Sequence, residues 1–300
     1  MPCMAQAAFE AYTFHLRKTD SGFRIDALTS QPSQKASPAM SSHSASSTIV
    51  TAAMLAIGDE LLSGRTKDKN IGHLADMLTM SAIDLKEVRI VADEEDAIVE
   101  ALNALRARHD YVFTSGGIGP THDDITADAV SKAFGVDCIY DADAMSLLGE
   151  MYKRREMEFT PARQRMARMP QGATHIVNPV STAPGFIIGN VYVMAGVPQV
   201  FQAMVDNVLP TLRTGAQMLS RAVSCPYGEG DIGTLLADIQ KAHPETSIGS
   251  YPRFDGKKFS TEIVVRARDE QAMDAAAEDV SAMIAGLDRK GISANPTADA

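Results

Sequence analysis

The sequence predicts an α/β protein with a doubly wound, mostly parallel sheet, followed by a smaller α+β domain. Strand and helix patterns alternate from residue 50 onward, glycine-containing loops follow two of the strands, and a second set of elements begins near residue 220. Alternation of this kind is typical of helices that cover both faces of a parallel sheet. A length of 300 residues also exceeds that of a common single domain.

The first domain is predicted to span residues 49–215. Apolar runs predict strands at residues 50–57, 85–91 and 111–114. Ile71, Leu74, Met77 and Leu78 recur at helical spacing after the first strand, and similar patterns follow the other two. Ligands of doubly wound sheets bind beyond the carboxyl ends of the strands, so the loops after these strands become the candidate site.

The later part of the first domain predicts more helices and a hairpin. Helices are expected at residues 142–157, 160–168 and 198–213, the second with Thr160 as N-cap and Pro161 as its first residue. Strands at residues 185–188 and 191–194 flank the two-residue turn Gly189-Asn190.

The second domain is predicted to span residues 220–289. Its expected order is a strand (222–225), a helix (231–242), two strands (247–251 and 260–267) and a helix (270–286). This βαββα order is that of a ferredoxin-like half. Residues 290–300 are predicted to form a frayed tail.

Residues 1–48 are predicted to be a disordered leader. The stretch 28–48 is rich in Ser, Ala, Gln and Pro and has no apolar period, so it cannot offset its ordering entropy. A transit peptide is the alternative interpretation. Met40 and Met54 offer later starts, so an over-extended reading of the gene is a further alternative.

Composition excludes several classes of partner. The formal net charge of −10 gives no basic footprint for non-specific binding to nucleic acid or anionic membranes. The three cysteines lie far apart, so neither a disulfide framework nor a zinc site is indicated, and a cytoplasmic location fits. No apolar run reaches the roughly 18 residues of a membrane helix.

The segment TSGGIGPTHDDIT, residues 114–126, is the most specific feature. Gly116, Gly117 and Gly119 lie between a predicted strand and a predicted helix, where backbone N–H groups can approach an anion. The loop lacks the lysine of a Walker loop and the spacing of GxGxxG. A tight turn without a ligand is the alternative interpretation.

Asp123 and Asp124 follow this glycine loop directly. One of them is expected to cap the next helix. Two adjacent carboxylates beside a phosphate-binding loop would repel the phosphate unless a cation lay between them, and carboxylate oxygens are ligands that magnesium prefers. The sequence therefore predicts Mg²⁺, or another divalent cation, at this loop.

The loop after the first strand supplies further polar residues: Asp59, Glu60, Ser63, Gly64, Asp68 and Asn70. If both loops face one crevice, Asp68 or Glu60 adds a metal ligand, and Ser63, Thr121 and Thr126 bind a phosphate or sugar. His122 is interpreted as a bystander. The Pro/Gly turns at residues 178–186 and at Gly196 and Pro198 are either structural or line a base or pterin pocket.

Four motifs in order resemble the MoaB/Mog family of molybdopterin-binding domains: GDELLSGRTKDKN, SGGIGPTHDDITADAV, NPVSTAPGF and AGVP. The strongest resemblance is to the amino-terminal domain of competence/damage-inducible CinA-like proteins, over about residues 52–215. It implies a small-molecule nucleotide or pterin phosphate as ligand, molybdopterin included, with magnesium, and a dimer or trimer. It also implies one of two activities, hydrolysis of ADP-ribose-like pyrophosphates or transfer of AMP to molybdopterin.

The resemblance also implies site residues by position. In the first loop these are Gly58, Glu60, Gly64, Asp68 and Asn70; in the second and later segments they are Ser115, Gly116, Gly117, Gly119, Pro120, Thr121, Asp123, Asp124, Thr126, Gly185, Gly196 and Pro198. Asp68, Asp123 and Asp124 are the expected catalytic and metal-binding carboxylates.

Two departures limit what the resemblance implies. Ser181 stands where the family motif has glycine, and the chain ends at Ala300, so the deamidase activity of the CinA carboxy-terminal domain is not expected. Three hypotheses remain open at this point: a magnesium-dependent nucleotide pyrophosphatase, a molybdopterin adenylyltransferase, and a binding module without catalysis.

Overall fold

The computed structural model describes residues 16–19, 22–25, 49–254 and 259–289. Within the predicted disordered leader it places two short antiparallel strands, β1 (Leu16–Thr19) and β2 (Gly22–Ile25), which the sequence analysis did not predict. The other leader residues and the predicted tail at 290–300 lie outside the described residues.

A six-stranded sheet forms the centre of the first domain. In spatial order its strands are β4 (Asp84–Val91), β3 (Thr51–Ile57), β5 (Tyr111–Ser115), β10 (Val191–Met194), β9 (Gly185–Ile188) and β8 (Thr174–Ile176). The first four run parallel, and β9 runs antiparallel to both of its neighbours. The predicted mostly parallel sheet is therefore confirmed.

Helices cover both faces of this sheet. They are α1 (Asp59–Leu62), α2 (Asn70–Met80), α3 (Glu95–Arg106), α4 (Thr126–Phe134), α5 (Ala142–Arg154), α6 (Pro161–Gln164) and α7 (Pro198–Val208). Leu55 faces a core with α3, α4 and α5, whereas Met54 faces a core with α2 and α7. Because both faces are covered, β3 is apolar without alternation.

Three short strands and three helix ends differ from the sequence prediction, and the helix predicted at 142–157 ends at Arg154. The missed strands are β6 (Cys138–Tyr140), β7 (Arg168–Pro170) and β8. The predicted helix at 160–168 contains only α6 and a 3₁₀ turn, because residues 168–170 pair with β6 instead. The predicted helix at 198–213 ends at Val208, where the ring of Pro210 would clash with a further helical turn.

The second domain contains β11 (Leu219–Cys225), α8 (Glu229–Ala242), β12 (Ser247–Phe254), β13 (Phe259–Ala267) and α9 (Glu270–Arg289). Its antiparallel sheet has the order β11-β13-β12 and packs against both helices around Ile232, Ile263 and Val280. The predicted βαββα order is confirmed. No helix in the described residues has the length and apolarity needed to cross a bilayer.

Arg268 joins the two domains at the start of β4. Its side chain is 9% exposed; it donates to Asp84 Oδ1 at 2.6 Å and to the carbonyl of Ala216. Burial opposes ionisation of Asp84, but hydrogen bonds from Arg268 and Lys86 outweigh it and lower the pKa of this carboxyl. The ion pair therefore stabilises the folded state when Asp84 is charged.

Replacing Arg268 by Met is expected to lower the free energy of unfolding by about 1–3 kcal/mol at pH 7, because Asp84 and the Ala216 carbonyl lose a buried donor. Since the folded pKa of Asp84 lies below 3.8, the loss should shrink as the pH falls through that pKa. Urea denaturation at several pH values measures it. The control is Arg266→Met, at an exposed arginine two residues away, and an equal loss in both variants would contradict the assignment.

Candidate functional site

The loops that follow β3, β4, β5 and β10 line one cleft at the carboxyl end of the sheet. Its volume is ≈ 550 Å³. Because β3 and β5 are adjacent and parallel, their loops emerge at the same sheet edge. The predicted convergence of the two loops is thus confirmed. The lining residues that the sequence analysis predicted are Gly58, Glu60, Gly116, Gly117, Gly119, Pro120, Asp123, Asp124, Gly196 and Pro198.

The glycine loop is held against β3 and α4 too closely for any side chain. Gly116 has φ +113°, and a Cβ there would lie 2.2 Å from the carbonyl oxygen of Ile57. Gly117 has φ +68°, and a Cβ there would lie 2.1 Å from Thr126 Oγ1. Thr126 donates from Oγ1 to the Gly116 carbonyl (3.0 Å) and from its N–H to the Gly117 carbonyl (3.0 Å). Thr126 therefore fixes the loop and is fully buried beneath it.

Asn70 ties three of the segments together from beneath the cleft. Its Nδ2 donates to Ser115 Oγ at 2.8 Å and to the Gly196 carbonyl at 2.9 Å, and the residue is 3% exposed. Gly196 in turn approaches Gly116, whose Cα would be 3.2 Å from a Cβ at position 196. Asn70 and Ser115, predicted as ligand-binding, do not line the cleft and instead hold the loops in register.

Asp124 stabilises the turn of the glycine loop. Its Oδ2 accepts from the Thr121 N–H (2.8 Å) and from Thr121 Oγ1 (2.5 Å). Helix α4 begins at Thr126, with Ile125 as N-cap and no side-chain cap. The prediction that one of the two aspartates caps this helix is therefore wrong, because Asp124 bonds backward to the loop. Thr121 does not line the cleft.

Asp68 does not reach the cleft. Its Oδ1 accepts from the N–H groups of Asn70 (3.1 Å) and Ile71 (2.8 Å), so it satisfies the first turn of α2. Among the described residues, no three His, Cys, Asp or Glu side chains are grouped so that they could hold a metal ion. Asp68, Asp123 and Asp124 therefore do not form the predicted metal site, because Asp68 bonds to the start of α2 instead. Gly64 and Gly185 also lie outside the lining.

Asp93 is a cleft residue that the sequence analysis missed. It follows β4, and its Oδ2 accepts from the Asp59 N–H at 3.0 Å. Burial raises the pKa of Asp93, and the negative charges of Asp59, Glu60 and Asp123 raise it further. The pKa of Asp123, in contrast, is lowered by the nearby Thr121 hydroxyl and by backbone N–H hydrogen bonding, which favours the charged carboxylate. Loops that follow parallel strands line the site, and β4 is one of these strands. Asp93 could therefore have been predicted from its position after β4.

The acidic side of the cleft has no cationic side chain to balance it. Glu60, Asp93, Asp123 and Asp124 line it, and no Lys or Arg occurs among its described lining residues. His122, interpreted as a bystander, is not among the lining residues, and its exposed ring places Nδ1 3.9 Å from Asp123 Oδ1. An anionic ligand would therefore meet backbone N–H groups together with uncompensated carboxylates.

Ile57, Thr66 and Ile118 also line the cleft. Another part of the lining is mostly apolar, and we call this part the second wall. It consists of Met166, Asn178, Ser181, Ala183, Val200 and the segment 195–198. Asn178 is 5% exposed and closes the turn at its base. A planar ring could pack against this wall, because its side chains are apolar except for those of Asn178 and Ser181.

Two families match the chain in consecutive segments. Residues 53–214 match the family described as "Probable molybdopterin binding domain". Residues 217–288 match the family described as "FAD synthase, middle domain".

Individual relatives agree with the first match. A protein of Pyrobaculum arsenaticum is 36% identical over 209 residues, which cover 67% of this chain and 79% of the relative. A CinA-like protein of Desulfosudis oleivorans is 31% identical over 261 residues, covering 83% of this chain and 62% of that protein. The crystal structure of CinA from Thermoplasma acidophilum, described as having unknown function, superposes with a TM-score of 0.50 at 32% identity, covering 54% of this chain and 98% of that one.

Proposed function

This chain is a CinA-like member of the MoaB/Mog family of molybdopterin-binding domain proteins, and we propose that it hydrolyses a nucleoside diphosphate ester such as ADP-ribose with Mg²⁺. The observation that carries the proposal is the composition of the cleft. A glycine loop that offers backbone donors lies beside four carboxylates, with an apolar wall next to them.

The charges of the cleft support a requirement for a divalent cation. Two like charges 4 Å apart repel by roughly 4 kcal/mol at an effective dielectric constant of about 20, so a diphosphate would be rejected by Asp93 and Asp123 without compensation. Mg²⁺ commonly uses one or two protein carboxylates and completes its shell with phosphate oxygens and water. The carboxylates of the cleft are therefore compatible with an Mg²⁺ ion that binds together with the diphosphate and takes part of its ligands from it.

Asp93, Asp123 and Glu60 are the residues that would hold the cation. When bound, Mg²⁺ would neutralise the diphosphate and make a bound water more acidic. The N–H groups of Gly117, Ile118 and Gly119 would hold the phosphate that does not react, because the Gly116 N–H already donates to the Met194 carbonyl at 3.1 Å. A carboxylate of the cleft would accept the proton of the attacking water while the P–O bond between the two phosphates breaks, giving AMP and ribose 5-phosphate from ADP-ribose.

We expect the protein to release AMP from ADP-ribose with Mg²⁺ and to lose this activity with EDTA. Replacing Asp123 by Asn should lower kcat/KM by about 100-fold, the scale of losing one preorganised electrostatic group. A screen of nucleoside diphosphate esters with several divalent ions, read as AMP release, measures both effects. Asp206→Asn, at an exposed aspartate of α7 outside the cleft lining, is the control and should keep full activity.

Two further measurements test the other two hypotheses. Binding of ADP-ribose by calorimetry without release of AMP would indicate a binding module and would overturn hydrolysis. Transfer of AMP from ATP to molybdopterin, without hydrolysis of ADP-ribose, would indicate adenylyl transfer at this cleft.

A further inference from the structure

The second wall contains two polar side chains, those of Asn178 and Ser181, and only one of them has bonding capacity left. Asn178 Oδ1 accepts from the N–H groups of Val180 (3.1 Å) and Ser181 (3.1 Å). Its Nδ2 donates to Ser181 Oγ (2.5 Å) and to the Ala183 carbonyl (2.8 Å). A side-chain amide has two donor hydrogens and about two acceptor sites, so Asn178 is saturated and cannot bind a ligand.

The amide orientation of Asn178 follows from these partners. Backbone N–H groups can only donate, so the atom that receives them must be the oxygen, and the Ala183 carbonyl can only accept, so its partner must be the nitrogen. Consequently Ser181 Oγ is the acceptor in its contact with Asn178. The hydroxyl hydrogen of Ser181 then remains available, and it has no acceptor among the described residues.

Ser181 is therefore the single side-chain donor that the second wall can offer to a ligand. Ser181 lines the cleft together with apolar residues of the second wall, among them Met166, Ala183 and Val200. A hydroxyl on an apolar surface discriminates strongly, because a ligand without an acceptor at that point leaves the donor unpaired. The loop is also held in one conformation, since Thr182 adopts φ +73° and its N–H donates to the Asn178 carbonyl at 3.1 Å.

We propose that Ser181 is a specificity-determining residue that donates its hydroxyl hydrogen to an acceptor atom on the ring of a nucleobase packed against the second wall. The inference rests on the proposed function and deepens it, because it assigns the phosphates to the glycine loop and the base to the second wall. Ser181 thus selects ring-bearing diphosphates over inorganic ones.

The experiment compares ADP with inorganic pyrophosphate, both with Mg²⁺, by calorimetry. Ser181→Ala should weaken ADP binding about 3- to 10-fold, as expected for one hydrogen bond, and leave pyrophosphate binding unchanged. The 1-deaza, 3-deaza and 7-deaza analogues of ADP each lack one ring acceptor. One of them should bind the wild type at least as weakly as ADP binds Ser181→Ala, because it leaves the Ser181 hydroxyl unpaired, and it should lose nothing further in that variant.

A purely structural role of Ser181 gives a different pattern. Asn178→Ala removes the four side-chain hydrogen bonds of the turn and shows what loop damage does, which should be a loss for ADP and all three analogues alike. If Ser181→Ala behaves in the same way, or binds ADP as well as the wild type, the inference is overturned while the proposed function stands. If the wild type binds neither ADP-ribose, ADP nor pyrophosphate with Mg²⁺, the proposed function itself fails and the inference fails with it.

Discussion

Replacing Gly117 by Ala is expected to destabilise the first domain by more than about 3 kcal/mol and to abolish ligand binding. Two costs add together. An L-residue at φ +68° loses roughly 1–2 kcal/mol, and the new Cβ would lie 2.1 Å from Thr126 Oγ1, an atom of a fully buried residue that cannot move without breaking its bond to the Gly116 carbonyl. Urea denaturation and calorimetry with Mg²⁺ and ADP-ribose measure the two effects.

Gly135→Ala separates the steric cost from the conformational cost. Gly135 ends α4 with φ +67°, nearly the same backbone conformation, but a Cβ there would meet nothing within 4 Å. This control should lose only the roughly 1–2 kcal/mol of the left-handed conformation and should keep full binding. Equal losses in both variants would show that the contact with Thr126 does not hold the glycine loop.

The central sheet and the glycine loop were predictable because their signals are local. A strand buried on both faces must be a continuous apolar run, as in β3. A loop residue whose Cβ would lie 2.2 Å from a backbone oxygen of another strand must be glycine, as at Gly116. Parallel pairing of adjacent strands then brings their loops to one edge. These three steps need no knowledge of distant contacts.

Two of the strands that the sequence analysis missed in the first domain depend on partners far along the chain, whereas the missed β1 and β2 pair with each other. β6 and β7 have three residues each and exist because Cys138–Tyr140 pairs with Arg168–Pro170. Three residues carry too little periodicity to distinguish a strand from a helix end. The same reason explains why helix propensity at 160–168 gave the wrong prediction.

The roles of individual carboxylates depend on which hydrogen-bond donors lie near them, and the spacing of residues in the sequence does not show this. Asp68 and Asp124 are both carboxylates in site loops, yet each is occupied by nearby backbone N–H groups. Asp93 has one such bond, to Asp59, and is otherwise surrounded by negative charge. Sequence therefore identified the loops, whereas hydrogen-bond partners separate structural carboxylates from those available to a cation.

Asp93→Asn is expected to reduce Mg²⁺-dependent release of AMP by about 100-fold or more while the fold becomes slightly more stable without cation. The amide oxygen keeps the bond from the Asp59 N–H, so the local structure should survive. The loss of activity follows because a neutral side chain contributes no charge to hold the ion. The gain in stability follows because burial and the charges of Asp59, Glu60 and Asp123 all disfavour an ionised Asp93 in the folded state.

The pH dependence of stability tests the same electrostatic argument. The folded pKa of Asp93 lies above its ordinary value of 3.8, so the folded protein binds this proton more tightly than the unfolded chain does. Above the folded pKa, the free energy of unfolding of the wild type should therefore be lower than that of Asp93→Asn. The difference should disappear as the pH falls towards 3.8. At neutral pH, saturating Mg²⁺ should also remove the deficit, because the cation takes the place of the proton.

Asp96→Asn provides the matched control three residues away. Asp96 bonds to Lys132 at 2.9 Å, and that bond lowers the pKa of this carboxyl, so its charge is favoured by the fold. This variant should keep full activity and should lose rather than gain stability at neutral pH. An Asp93→Asn protein with wild-type turnover and the wild-type rise of melting temperature with Mg²⁺ would contradict the role of Asp93, and cation binding would then be assigned to Asp123 and Glu60.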